Sequence, residues 1–200
     1  MFHNSTNGDL DLKSILSDYK EKLCNKIFRY ELNGKSIVNV RFYTESFCHL
    51  AGLHYVYEND KRYLGTKGYK LITDGKVTID CLKKHNEKGF NFIKSKLENF
   101  GNIYELLING KMTGFDVRRM ADYTEIIANL VIYRNNKELL LHLFLRKERD
   151  GSDEYTPVSF IIERGTEKKD SRYVARQKYI TITNFELIEN QKKPDIQQSD

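Results

Sequence analysis

Two of the five histidines, His49 and His54, fall in one short apolar stretch, Phe47-Cys48-His49-Leu50-Ala51-Gly52-Leu53-His54. Imidazole titrates near neutrality, so a histidine held in a cleft can serve as general base or general acid. On a regular helix, residues five apart project roughly 140° from each other, which keeps both rings from lining one small cleft. His54 then shares the face of Phe47, Leu50 and Ala51 and reads as a packed structural residue, which leaves His49, beside Leu53, as the catalytic candidate. His3 lies near the terminus and His85 follows Lys83-Lys84 on a polar stretch. His142 alternates with Leu140 and Phe144, a pattern that favours the core.

Most other reactive signatures are missing. There is no GxxxxGK[ST], GxGxxG, GxSxG or HExxH stretch, and no acidic pair at metal-site spacing. NTPases, dinucleotide enzymes, serine hydrolases and two-metal nucleases are therefore disfavoured, and no metal or other cofactor is expected. What remains is chemistry built from His, Lys, Arg, Ser and Tyr. RNA cleavage by the substrate's own 2′-hydroxyl suits that set, because the protein supplies no nucleophile, only a base, an acid and cations for the phosphorane.

The cations are unevenly spread. Arg164, Lys168, Lys169, Arg172, Arg176 and Lys178 face only Glu167 and Asp170 across that segment, a net +4 out of a whole-chain +5. With Tyr173 among them, the segment reads either as a plain solvated loop or as a polyanion-binding edge. A smaller basic stretch, Lys61 to Lys70, carries the same two readings.

These groups need elements to hold them. Leu12, Ile15, Leu16, Tyr19 and Leu23 recur at helical spacing and predict a helix over 11–24. Asn33-Gly34 between two β-rich runs predicts a hairpin. Thr44 is placed to cap a helix running to about Tyr57, and 58–74 reads as a loop. Residues 76–109 read as helical pieces, with Phe90, Ile93, Leu97 and Phe100 on one face, and 116–121 as one further turn. Four β-rich runs follow, Tyr123–Tyr133, Glu138–Lys147, Tyr155–Glu163 and Lys178–Ile188, the first three joined by short connections that imply an antiparallel meander. In the second run Leu139, Leu141, Leu143 and Leu145 share one face, and Leu140, His142, Phe144 and Arg146 the other. Helices first and strands last argue an α+β fold.

The whole chain bounds these readings. With 200 residues, 30 % charged and 40 % hydrophobic, it is long enough for one core and too apolar for a disordered protein. The expected organisation is a flexible N-terminus over 1–10, a single domain over 11–188 and a disordered tail over 189–200. No apolar run is long enough to span a membrane, and Met1 to Thr6 lack a signal pattern. Cys24, Cys48 and Cys81, odd in number and outside CxxC spacing, read as cytosolic thiols, so a cytoplasmic location is expected.

A hairpin, then Phe47-x-His49-Leu50-x-Gly52 opening a helix, a helical middle, and a C-terminal β-meander led by Tyr155-Thr156-Pro157 together resemble a known family. It is the fourth phage family of Barnase/EndoU/colicin/RelE-like nucleases. The resemblance spans roughly residues 11–188. It implies N-terminal helices and a β-hairpin packed on a C-terminal four-stranded antiparallel sheet. The implied activity is metal-independent endoribonuclease cleavage in a phage or mobile-element setting, as a toxin or defence effector. RNA is then the partner, with an antitoxin or immunity protein as a second; the oligomeric state stays open. His49 matches the motif histidine, and Ser159, two residues past Pro157, matches a small hydroxyl position. On this basis His49, Ser159 and Tyr155 are the expected catalytic set, with Arg164, Arg172, Tyr173 and Arg176 on substrate. The alternative is an inactive RNA- or protein-binding module on the same fold.

Overall fold

Asp11 starts the first helix. Its carboxylate accepts from the backbone N–H groups of Lys13 and Ser14, which a helix N-terminus leaves unpaired. The computed structural model describes residues 10–120, 122–136, 139–164 and 171–189. The expectations for the N-terminal nine residues and for the tail from 190 onward lie outside those residues, as do Lys168 and Lys169 of the basic segment. Helix α1 (Leu12–Lys22) buries Leu12, Leu16 and Tyr19, as its spacing predicts.

Strands β1 (Lys26–Leu32) and β2 (Ile37–Arg41) form the expected antiparallel hairpin, with Tyr30 opposite Val38. The positive φ angles fall on Gly34 (98°) and Lys35 (69°), so the turn is centred one residue later than the Asn-Gly pair suggests. The next segment departs from the expected long helix. A 3-10 turn at Thr44–Ser46 leads into α2 (Phe47–Leu50), and a break at Gly52 separates it from α3 (Leu53–Val56). Thr44 lies inside the turn and does not cap it.

Residues 58–74 are not a loop. A 3-10 turn at Lys61–Tyr63 is followed by α4 (Gly65–Thr73). Its polar composition hid it, because the packing that holds it uses few residues, chiefly Ile72 and the bare face of Gly68. Then come α5 (Ile79–His85), α6 (Glu87–Glu98) and α7 (Asn102–Asn109). Phe90, Ile93, Leu97 and Phe100 are buried as one face. The expected turn near 116–121 is a 3-10 turn at Val117–Arg119.

The sheet is larger than the four strands the resemblance implies. Strands β3 (Lys111–Gly114), β4 (Leu130–Asn136), β5 (Leu139–Lys147), β6 (Glu154–Arg164), β7 (Tyr179–Ile180) and β8 (Ile182–Glu189) join the hairpin in one eight-stranded sheet, ordered β7-β3-β4-β5-β6-β2-β1-β8. The hairpin is therefore part of the sheet and not packed on it. The meander β4-β5-β6 is antiparallel, whereas β6 meets β2 in parallel at Asn39↔Glu154 and Val40↔Tyr155. An ion pair between Arg41 and Glu154 ties the same two strands.

The fourth β-rich run splits between two edges. β7 pairs with β3 at one end of the strand order and β8 with β1 at the other, with only Thr181 between them. Two consecutive strands can reach opposite ends only if the sheet curls until those ends approach, nearly a barrel. Alternation in a sequence sets which side chains share a face but not which strand lies alongside.

Within β5 the faces are as the alternation predicts. Leu141, Leu143 and Leu145 join the main core with the helices. Phe144 joins a second cluster with Phe115, Val131 and Tyr173 on the opposite face. His142 is fully buried there, its ring 5.4 Å from that of Tyr173, and burial pushes its pKa down to about 4. It is thus a neutral core residue at neutral pH.

Candidate active site

Phe47 anchors the segment that carries the histidines. Its ring is fully buried, 5.3 Å from both Tyr19 and Phe100. Burial of such a side chain contributes about 1.5–3 kcal/mol. The Tyr19 hydroxyl donates to the Tyr43 carbonyl at 2.7 Å and fixes the approach to α2. The helix then turns once and stops. Gly52 takes φ 86°, and its N–H closes on the His49 carbonyl at 3.0 Å. Only glycine adopts this left-handed conformation at little cost. A Cβ here would also lie 2.8 Å from Cγ2 of Ile93 on α6.

The break overturns the placement of the two histidines on opposite sides of a regular helix. With the chain redirected at Gly52, the His49 and His54 rings stack, centroids 4.5 Å apart and 18° from parallel. Tyr55 continues the stack, its centroid 4.1 Å from His54. His49 is exposed and His54 half-buried, with a buried Nδ1 that has no hydrogen-bond partner among the described residues.

β6 meets this stack at an irregularity. Phe144 pairs with Ser159 but Leu145 with Pro157, so Val158 is an extra residue in β6. Such bulges expose backbone polar groups and recur beside functional sites. The Val158 backbone lies within hydrogen-bonding reach of the His49 ring and favours its protonated form. Pairing of β6 with β2 ends at Tyr155, and beyond it β6 packs against α2 and α6.

Cations surround the pair. Burial, then the Lys96 charge, lowers the His49 pKa, with a smaller push from Arg146. Burial, then His49 and Lys96, brings His54 down to about 4. Lys96, on α6, is itself pushed down to about 8 by burial. No acidic residue contributes to the shift of either imidazole. Neither Lys96 nor Arg146 has an ion-pair partner among the described residues. Two neutral imidazoles beside two uncompensated cations make a site that favours an anion, and hold a base and a proton donor within it.

The sequence-derived candidates fall in different places. Ser159 adjoins Val158, and on the sheet it stands opposite Phe144. Tyr155 is packed in the main core, with the Lys147 ammonium 5.8 Å from its ring centroid, and takes no part in the histidine stack. Tyr173 is 5 % exposed, among Phe144, His142 and the Arg172 guanidinium, so its face is not open to a base. Arg172 is held by Glu163 at 3.1 Å and donates to the Tyr173 hydroxyl at 2.8 Å. Arg164 ends β6 exposed, and Arg176 is exposed in the turn before β7, where its carbonyl accepts from Arg119. Lys96, Tyr55 and Arg146 are not among the site residues the sequence suggests, and His54 is there a structural residue. The one signal for His54 was Gly52 between the two histidines.

The fold and site define a mixed α+β protein with an imidazole–ammonium cluster where a bulged strand meets two broken helices. Over residues 11–199 the chain matches the family described as phage-Barnase-EndoU-ColicinE5/D-RelE like nuclease4, and it belongs to that family. No curated protein and no solved structure matches it.

Proposed function

We propose that the protein is an endoribonuclease that cleaves RNA without a metal ion, by attack of a 2′-hydroxyl on the adjacent phosphate. The stacked His49–His54 pair beside the unpaired Lys96 and Arg146 carries this reading. His49 is the exposed imidazole and is neutral at neutral pH, so it accepts the 2′-hydroxyl proton. Lys96, with its pKa near 8, remains mostly protonated. It neutralises the phosphorane and returns a proton to the leaving 5′-oxygen. Arg146 holds non-bridging phosphate oxygens, for which its planar fork is suited. His54 stacks on His49 and fixes its orientation, while its buried Nδ1 is shielded from substrate. In this reading Ser159, next to the Val158 bulge, orients the phosphate. The exposed Arg164 and Arg176 add to the field that draws in a polyanion, while the buried Tyr155 and Tyr173 take no part.

The roles set a pH dependence. Activity rises as His49 loses its proton, with a limb below pH 6.5. It falls as Lys96 loses its own, with a limb near pH 8. Lys96→Arg keeps the charge but not the proton donor, so the alkaline limb disappears and the maximal rate drops. A kcat/KM profile that keeps its alkaline limb in Lys96→Arg removes Lys96 from proton transfer.

A further inference from the structure

Helix α6 carries a second feature toward the histidine stack. Its buried side is Gly89, Phe90, Ile93 and Leu97. Lys88, Phe92 and Lys96 stand four residues apart, a spacing that aligns side chains in one row along a helix. Phe92 is 68 % exposed, and Tyr55 on α3 is 47 % exposed. The two rings touch edge to face, 4.7 Å apart at 64°. Lys96 Nζ lies 6.0 Å from the Tyr55 centroid, and Tyr55 covers His54. Neither Lys88 nor Lys96 has an ion-pair partner among the described residues.

A single exposed phenylalanine is ordinary on a protein surface. Two touching rings, continuous with an anion site and bracketed by uncompensated ammonium groups, offer the two things a nucleotide presents: a flat π face and a charge beside it. In a duplex the base faces are covered by their neighbours, so the matching ligand is an unpaired base.

We propose that Phe92 and Tyr55 form a stacking subsite for an unpaired nucleobase of the strand whose phosphate enters the His49–His54 site. The assignment rests on the nuclease reading for where the phosphate lies, but base binding itself is measured without cleavage. The probe is a short single-stranded RNA carrying one 2-aminopurine, added to full-length His49→Ala protein, with fluorescence quenching and anisotropy as readouts.

The expected result is quenching on binding. Phe92→Ala abolishes most of the quench and weakens binding about 5- to 150-fold, the range that loss of one base–aromatic stack produces. Phe92→Trp restores both, and the same sequence as a duplex competes poorly. Unchanged affinity and quench in Phe92→Ala, or a duplex that competes as well as the single strand, overturns the subsite. So does failure to bind the oligonucleotide together with Phe92-dependent self-association, which makes the patch a protein-docking face. If quenching depends on Phe92 but wild-type protein cleaves no RNA, the subsite stands and the nuclease reading falls. If wild type cleaves RNA and Phe92→Ala alters neither quench nor KM, the subsite falls and the nuclease reading stands.

Discussion

His49→Ala is expected to lose about 10²–10⁴-fold in RNA cleavage, the contribution of a positioned acid–base group, while its thermal midpoint stays close to wild type. The two effects separate because of where the ring sits. His49 is exposed on α2, whose hold on the sheet comes from the fully buried Phe47, Cys48 and Leu50 on either side of it. Surface substitutions away from caps and cores usually change stability by less than about 0.5 kcal/mol. What is lost is the neutral imidazole beside the Val158 backbone and the face on which His54 stacks. Initial rates on a fluorogenic RNA, with circular dichroism melts of both proteins, check this. Retained cleavage in a folded variant would move the base elsewhere.

Gly52→Ala is the second large effect, and it reaches the same site through the backbone. A left-handed conformation costs a non-glycine residue about 1–2 kcal/mol. Displacing Ile93, whose Cγ2 the new Cβ would approach to 2.8 Å, adds about 1–3 kcal/mol of overpacking. Relief of either strain rotates α3 relative to α2, and the 4.5 Å stack of His49 on His54 opens. Both stability and cleavage therefore fall, the second by more than the unfolded fraction explains. Gly34→Ala is the control. That glycine also has positive φ, 98°, but open space around its Cβ and no link to the histidines. It should lower the urea midpoint and leave the specific activity of the folded protein unchanged. Equal loss of activity in both variants would show that general destabilisation, not the break at Gly52, is responsible.

The same glycine marks how far the sequence could be read. Local periodicities were legible where one packing face decides them. Leu12, Leu16 and Tyr19 give α1, and the alternation in β5 sorts Leu141, Leu143 and Leu145 onto one face and Phe144 onto the other. The angle between His49 and His54 was not legible, because a helical repeat carried through a glycine assumes the backbone conformation that the glycine exists to escape. His54 was read as structural for that reason alone. Lys96 was hidden differently. It is one lysine among several on the polar side of α6, and its neighbours come from α3, distant in sequence. Arg146 and the Val158 bulge depend on pairing between β5 and β6 with one residue out of step, which alternation cannot register. The split of the last β-rich run into β7 and β8 follows from closure of the whole sheet and has no local signal.

The proposed chemistry is tested most directly by a DNA oligonucleotide containing one ribonucleotide, incubated with the wild-type protein in the presence of a chelator. Strand scission only at the ribose, leaving a 2′,3′-cyclic phosphate on one fragment and a 5′-hydroxyl on the other, is the predicted result. Equal cleavage of the all-deoxy strand, or ends bearing a 5′-phosphate, would mean that a water or a metal-bound group attacks instead, and would contradict it.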